Sequence, residues 1–349
     1  MKKLCGLFVV LAVSMILSAQ PRPVPGSQRV KPVFDAADVV CSGRVESLRV
    51  LEGKRIETGN GTFLLKRVVA SVYVQDSYKA NETLPSSILV SFEERAPEVS
   101  AAIQKDEWAI LFLKHSEDSS YVFADPYMGV TQFADIPMAD GESGLTKLES
   151  TLAEIVSEND REDKIKAIRL LEGMENLQPG TLAQVASLSA SPDPELAFDA
   201  LATMIKVGVP GSIETLDQYL QGYQGDGNLS GLVNIEGGLN RTRNRKELSA
   251  LESLASSRFL AIRIGAMEAI RSIGDVSSVP TLIQRLSDSD SNIRYSAVIS
   301  LAEILNRHGD YKPSMAEFGK RPDFYTNEWQ DWWAHEGATF PKPASSLVP

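Results

Sequence analysis

Residue types that do chemistry are sparse in this chain of 349 residues. It holds three histidines, His115, His308 and His335, and none is spaced as a metal-binding pair. His335 and Glu336 open like the zinc-protease helix motif, but no second histidine follows at the required spacing. There is no G-x-S-x-G elbow and no Walker A loop, and Gly225-Asp226-Gly227 lacks the third glycine of a dinucleotide-binding turn. Two stretches mimic the spacing of a calcium loop. In the first, Asp288, Asp290 and Asn292 are followed by Ile293 where a glycine is needed, and Ile299 replaces the bidentate glutamate. In the second, Asp226, Asn228 and Ser230 supply one carboxylate, and Gly237 stands at the last ligand position. Calcium affinity depends on the number of charged ligands, so both stretches read as ordinary turns. No catalytic, cofactor-binding or metal-ligating residue follows, and the chain is expected not to be an enzyme.

Residues suited to protein contact are easier to find. Arg241, Arg243, Arg245 and Lys246 form the one basic cluster; they read as a solvated helix start or as a docking patch for an acidic partner. Gln284 and Arg285 lie on a helical segment further along. Trp329, Trp332 and Trp333 fall at i, i+3 and i+4, on one face of a helix. They read as a cap on the end of the fold or as an aromatic anchor for a partner. Glu93, Glu94, Glu158, Asp160, Glu162 and Asp163 read as solvated faces and a helix beginning. The formal net charge of −11 opposes binding to phosphate backbones or anionic lipid, so neither is an expected partner.

The elements that carry these residues fall into five segments. Lys2 and Lys3 precede an apolar run from Leu4 to Leu17, then Ser18, Ala19 and prolines: the order of a secretory signal peptide, with cleavage expected after Ala19. The run is shorter than the ~20 residues of a spanning helix, and an exported protein without an integral membrane segment is expected. Residues 20–33 read as a Pro-rich, extended linker. Residues 34–140 read as a β domain. Alternation marks Asp38–Val50, Val68–Val74, Ile88–Phe92 and Trp108–Phe112, with shorter strands at Tyr121–Phe123 and near Val130. Gly43 inside the first of these predicts a bulge or bend. Cys41 is the one cysteine left after the leader and reads as a buried small hydrophobe.

Residues 146–306 change to a spacing of three and four, the sign of short amphipathic helices. They also repeat. Ile262, Arg263, Ala266, Ile270 and Ile273 recur as Ile293, Arg294, Ala297, Leu301 and Ile304; Leu196, Ala200, Met204 and Val207 keep the same frame. Weaker copies start near Lys164 and near Asn234. Each hairpin is apolar on both helices and buries those faces only by stacking on the next. Residues 307–349 form a tail with the tryptophan helix.

The repeat resembles the HEAT family, in the short form also seen in phycobilin lyases. The resemblance implies that Arg263 and Arg294 bond acids between repeats, with Asp288 or Asp290 as the partner of Arg294. It also raises an alternative function, a lyase or tetrapyrrole-binding protein, which an exported location disfavours. The β domain resembles the OB-like barrel of the TIMP/netrin group on hydrophobic pattern alone. The mature chain has no cysteine near its start, so metalloprotease inhibition of the TIMP kind does not carry over. The fold expected is α+β and multidomain: a small antiparallel barrel or sandwich, OB-like, followed by a HEAT-type α-helical solenoid. The expected function is an exported protein-binding scaffold, with an envelope-assembly role as a further alternative; neither the partner nor the oligomeric state is specified.

Overall fold

The computed structural model describes residues 30–337 apart from 59–60, 97–102, 118–119, 126–127, 142–143, 175, 227–229 and 308–310. The expected signal peptide lies outside these residues.

Six strands follow the alternating segments: β1 Val39–Thr58, β2 Gly61–Lys79, β3 Ser87–Ala96, β4 Trp108–His115, β5 Tyr121–Phe123 and β6 Val130–Phe133. They run in the order β1-β2-β3-β5-β4, and β4 returns to β1, closing a five-stranded barrel with β6 added on β4. All pairs are antiparallel except β3 with β5. This closure is the OB-like arrangement expected from the sequence. The bend expected at Gly43 is real: the β1–β2 register shifts between Ser42 and Gly43, and a Cβ at Gly43 would lie 2.4 Å from the Tyr73 carbonyl oxygen.

One barrel wall is apolar on both faces. Val39, Cys41, Ala109, Leu111 and Leu113 fill the barrel interior. Their neighbours Val40, Ile110 and Phe112 point the other way and pack with Leu148, Leu152 and Ile155 of the first helix that follows the barrel. Two buried faces explain why β4 reads as an almost unbroken apolar run.

The helices are α1 Val30–Ala36, α2 Leu145–Glu158, α3 Arg161–Glu172, α4 Pro179–Ser187, α5 Pro194–Val207, α6 Ser212–Gly222, α7 Ser230–Leu239, α8 Leu248–Leu254, α9 Leu260–Ile273, α10 Val279–Arg285, α11 Ser291–Ile304, α12 Met315–Lys320 and α13 Pro322–Glu336. The linker expected over 20–33 ends early, because α1 begins at Val30. Val30 and Phe34 are buried one helical turn apart, and the Val30 amide donates to the Gly173 carbonyl at 2.9 Å.

Consecutive hairpins stack in two layers. α3, α5, α7, α9 and α11 form one layer, and α2, α4, α6, α8, α10 and α13 the other. Gly231 and Gly238 let α7 lie close against α5, where a Cβ would come within 2.6 Å of Phe198 and 3.1 Å of Ile205. Polar bonds tie barrel to array: Lys147 Nζ lies 2.7 Å from the Asp76 carboxylate, and the Ala134 amide donates to Asp163 at 2.8 Å. Asp163 is thus buried and bonded across the junction, not part of a solvated face.

Candidate interaction surface of the helical array

The repeat is built from the same local devices each time. Gly208 and Gly274 take positive φ (78° and 68°) and end the first helices of their hairpins. Ser191, Ser257 and Asp288 occupy equivalent positions before α5, α9 and α11. The side chain of each accepts from the backbone amide two residues on, at 3.2, 3.3 and 2.9 Å. Arg263 then donates to the Ser257 carbonyl at 2.9 Å, and Arg294 to the Asp288 carbonyl at 2.8 Å, each six residues back.

These contacts correct part of the sequence reading. Arg263 does bond an acid of the next repeat, Asp288, at 3.3 Å. Arg294 instead uses the carbonyls of Asp288 and Ser289. Asp288 is taken by Arg263 and Arg285, and Asp290 caps α11 through the Asn292 and Ile293 amides. Among the described residues, no repeat beyond the one that α11 begins presents an acid to Arg294.

A ladder of charges joins successive repeats. Arg161 pairs with Asp193 and Glu195, Arg169 with Glu195 and Asp199, Lys206 with Glu172, Arg245 with Asp275, and Arg271 with Glu303. None of these pairs was read in the sequence, although each sets opposite charges about one repeat apart. Asp199 is the deepest, at 0% exposed. Arg169 Nε donates to its Oδ2 at 2.9 Å, while Oδ1 has no hydrogen-bond partner. Burial pushes its carboxyl up to about 7, against the pull of Arg169. Burial also raises Glu172, opposed by Lys206. The Arg161 hydrogen bond lowers Asp193, and the Ser277 amide lowers Asp275.

The residues marked for protein contact fall in three places. Arg241, Arg243, Arg245 and Lys246 are all exposed on the α7–α8 connection. Arg245 is held by Asp275, and Arg243 donates to the Asn240 and Thr242 carbonyls at 2.7 and 2.8 Å. Among the described residues, Arg241, Arg243 and Lys246 pair with no carboxylate. Gln284 is exposed on α10, whereas Arg285 is half-buried and donates to the Ala255 carbonyl at 3.2 Å.

Trp329 and Trp332 are buried in the array core, and Trp333 packs against it. Trp329 and Trp332 meet edge to face at 5.6 Å, with Tyr311 against Trp329 at 5.0 Å. They cover the end of the array, two hairpins away from the basic cluster. The barrel offers a shallow polar cleft of about 360 Å³ lined by Arg44, Glu46, Tyr73, Lys105 and Asp106, without a nucleophile–base pair. Cys41 is fully buried, and burial pushes its thiol up to about 12. Among the described residues, no group of His, Cys, Asp and Glu is arranged to hold a metal, and no helix is long and apolar enough to cross a membrane.

No curated protein matches the chain. Residues 241–318, from the basic cluster into α12, match the family model of HEAT repeats. With the hairpin stack and its recurring caps, this match supports reading the helical C-terminal half as HEAT-type repeats.

Proposed function

We propose that this chain is an exported, non-enzymatic scaffold that binds an acidic protein partner through the helical array, at Arg241, Arg243 and Lys246. One observation carries the reading. Arg241, Arg243 and Lys246 lie exposed within six residues of one another and, among the described residues, pair with no carboxylate, in a chain of net charge −11. Burying such cations against carboxylates would give specificity and a salt-sensitive association rate. Stacked repeats present extended surfaces suited to protein recognition. Export rests on the Lys2–Ala19 order alone. The test is crosslinked capture from secreted and envelope fractions, with the wild type beside an R241E/R243E/K246E variant of unchanged melting temperature. The proposal expects a partner that the wild type retains, that the variant loses, and whose binding weakens with salt. Equal capture by both proteins would overturn the assignment to this cluster.

A further inference from the structure

The barrel closes where β1 meets β4, but that pairing runs only from Val39 to Arg44, followed by a backbone exchange between Val45 and the Asp106–Glu107 turn. β1 continues to Thr58 with β2 along one side. Among the described residues, no strand pairs with the other side of β1 from Glu46 onward. β6, the barrel's added strand, is guarded: the Ala134 amide just beyond it is taken by Asp163 in the first turn of α3. A long open strand edge is a template for another strand. This one also carries exposed apolar side chains, with Leu48 37%, Val50 57% and Leu51 43% exposed.

The order of charges along the edge says which strand fits. Leu51 is an extra residue: Val50 lies opposite Val68 of β2, and Glu52 opposite Arg67. Arg49 lies opposite Val69, two residues from Arg67, so the Arg49 and Glu52 positions share a face of the ribbon. If a second copy of β1 is laid antiparallel about a two-fold axis through the Val50–Leu51 bulge, Arg49 meets Glu52. Ser47 meets Lys54, and Val50 meets the copy's Leu51 at the centre. The Arg49–Glu52 pair is of opposite sign, and the two-fold makes it occur twice. Cross-strand pairs of opposite charge stabilise a ribbon, while like charges in the same places oppose it.

We infer that the β1 edge, from Glu46 to Arg55, is a self-association surface whose occupant is the same edge of a second copy of this chain, forming an isologous two-fold dimer. The dimer joins two barrels edge to edge, and each array extends from its own barrel.

Sedimentation velocity on the purified protein from 1 to 100 μM tests this. The wild type is expected to be a dimer in this range. Arg49→Glu sets acid against acid at two symmetric positions and is expected to raise the dimer dissociation constant at least tenfold. The double variant Arg49→Glu/Glu52→Arg reverses both members and is expected to restore the dimer, which a merely structural effect of Arg49 would not do. Arg49 is exposed, so the melting temperatures of Arg49→Glu and the wild type should agree. A monomeric wild type at 100 μM, a dimer indifferent to Arg49→Glu, or no rescue by the double variant would overturn the inference.

Discussion

Asp199 sets a measurable price on alkalinity. In the unfolded chain its carboxyl returns to the ordinary 3.8; in the folded array it titrates near 7. Between those two values the folded state holds a proton that the unfolded state has released, so unfolding becomes easier as the pH rises. Its contribution to stability is complete below about pH 4 and is lost as the pH passes through 7. The separation of about three pH units corresponds to about 4 kcal/mol, of which about 2–3 kcal/mol falls between pH 5 and 8. The perturbation is Asp199→Asn, which keeps an oxygen for Arg169 and removes the titration. Urea unfolding followed by far-UV circular dichroism at pH 5 and pH 8 reads the effect. Wild type is expected to lose about 2–3 kcal/mol more than the variant across that interval. Removing the partner acts at one pH: Arg169→Met leaves the buried carboxyl without its cation and is expected to destabilise the fold at pH 8, with most of the loss recovered in Arg169→Met/Asp199→Leu. Equal pH dependence in wild type and Asp199→Asn would show that Asp199 is ionised throughout, and would refute the account of its burial.

Three further outcomes follow from the same structure. Trp329→Ala removes a side chain that is 0% exposed and packed on Trp332 and Tyr311, and is expected to cost about 3–5 kcal/mol by thermal or urea unfolding. Cys41, enclosed in the barrel, is expected to react with a colorimetric disulfide reagent at pH 8 only as fast as the barrel unfolds, and at once in denaturant. Expressed in an exporting host, the processed protein is expected to begin at Gln20 by N-terminal sequencing; an intact Met1 would remove the case for export.

The sequence displayed the strands that burial patterns and hid the stretches that it does not. Val68 to Val74 alternate because β2 has one inward face there, and the strand is plain. Beyond Val50 the hairpin leaves the barrel. Lys54, Arg55, Lys66 and Arg67 carry no alternation, and the strands extend to Thr58 and back from Gly61 unannounced. α1 was masked by Pro32, although Val30 and Phe34 stand one turn apart. Gly231, Gly237 and Gly238 weakened the reading of α7 as a helix. Two of those glycines are there because α5 leaves no room for a Cβ. The Arg263 bond to an acid was legible only through the resemblance to HEAT repeats, which implied an acid of another repeat without naming Asp288 as its partner. The Arg294 bond was not, since a carbonyl acceptor leaves no trace in residue type. The Lys206–Glu172 and Arg169–Asp199 pairs required knowing that residues about one repeat apart face each other.

The two ends of the array are finished differently, and this bears on how the protein can change length. At the first helices the barrel wall of Val40, Ile110 and Phe112 is fused into the apolar core, and at the last the tryptophans of α13 close it. A bare stack of hairpins is open at both ends and can gain or lose a unit at either. Among the described residues neither end of the array offers a seat for another hairpin, so an added repeat is tolerated only in the interior, between units that share the 31-residue frame of Arg263 and Arg294. Duplication within α7–α11 would lengthen the molecule and leave both closures intact. The same duplication placed before α2 or after α13 would strand its apolar faces in water.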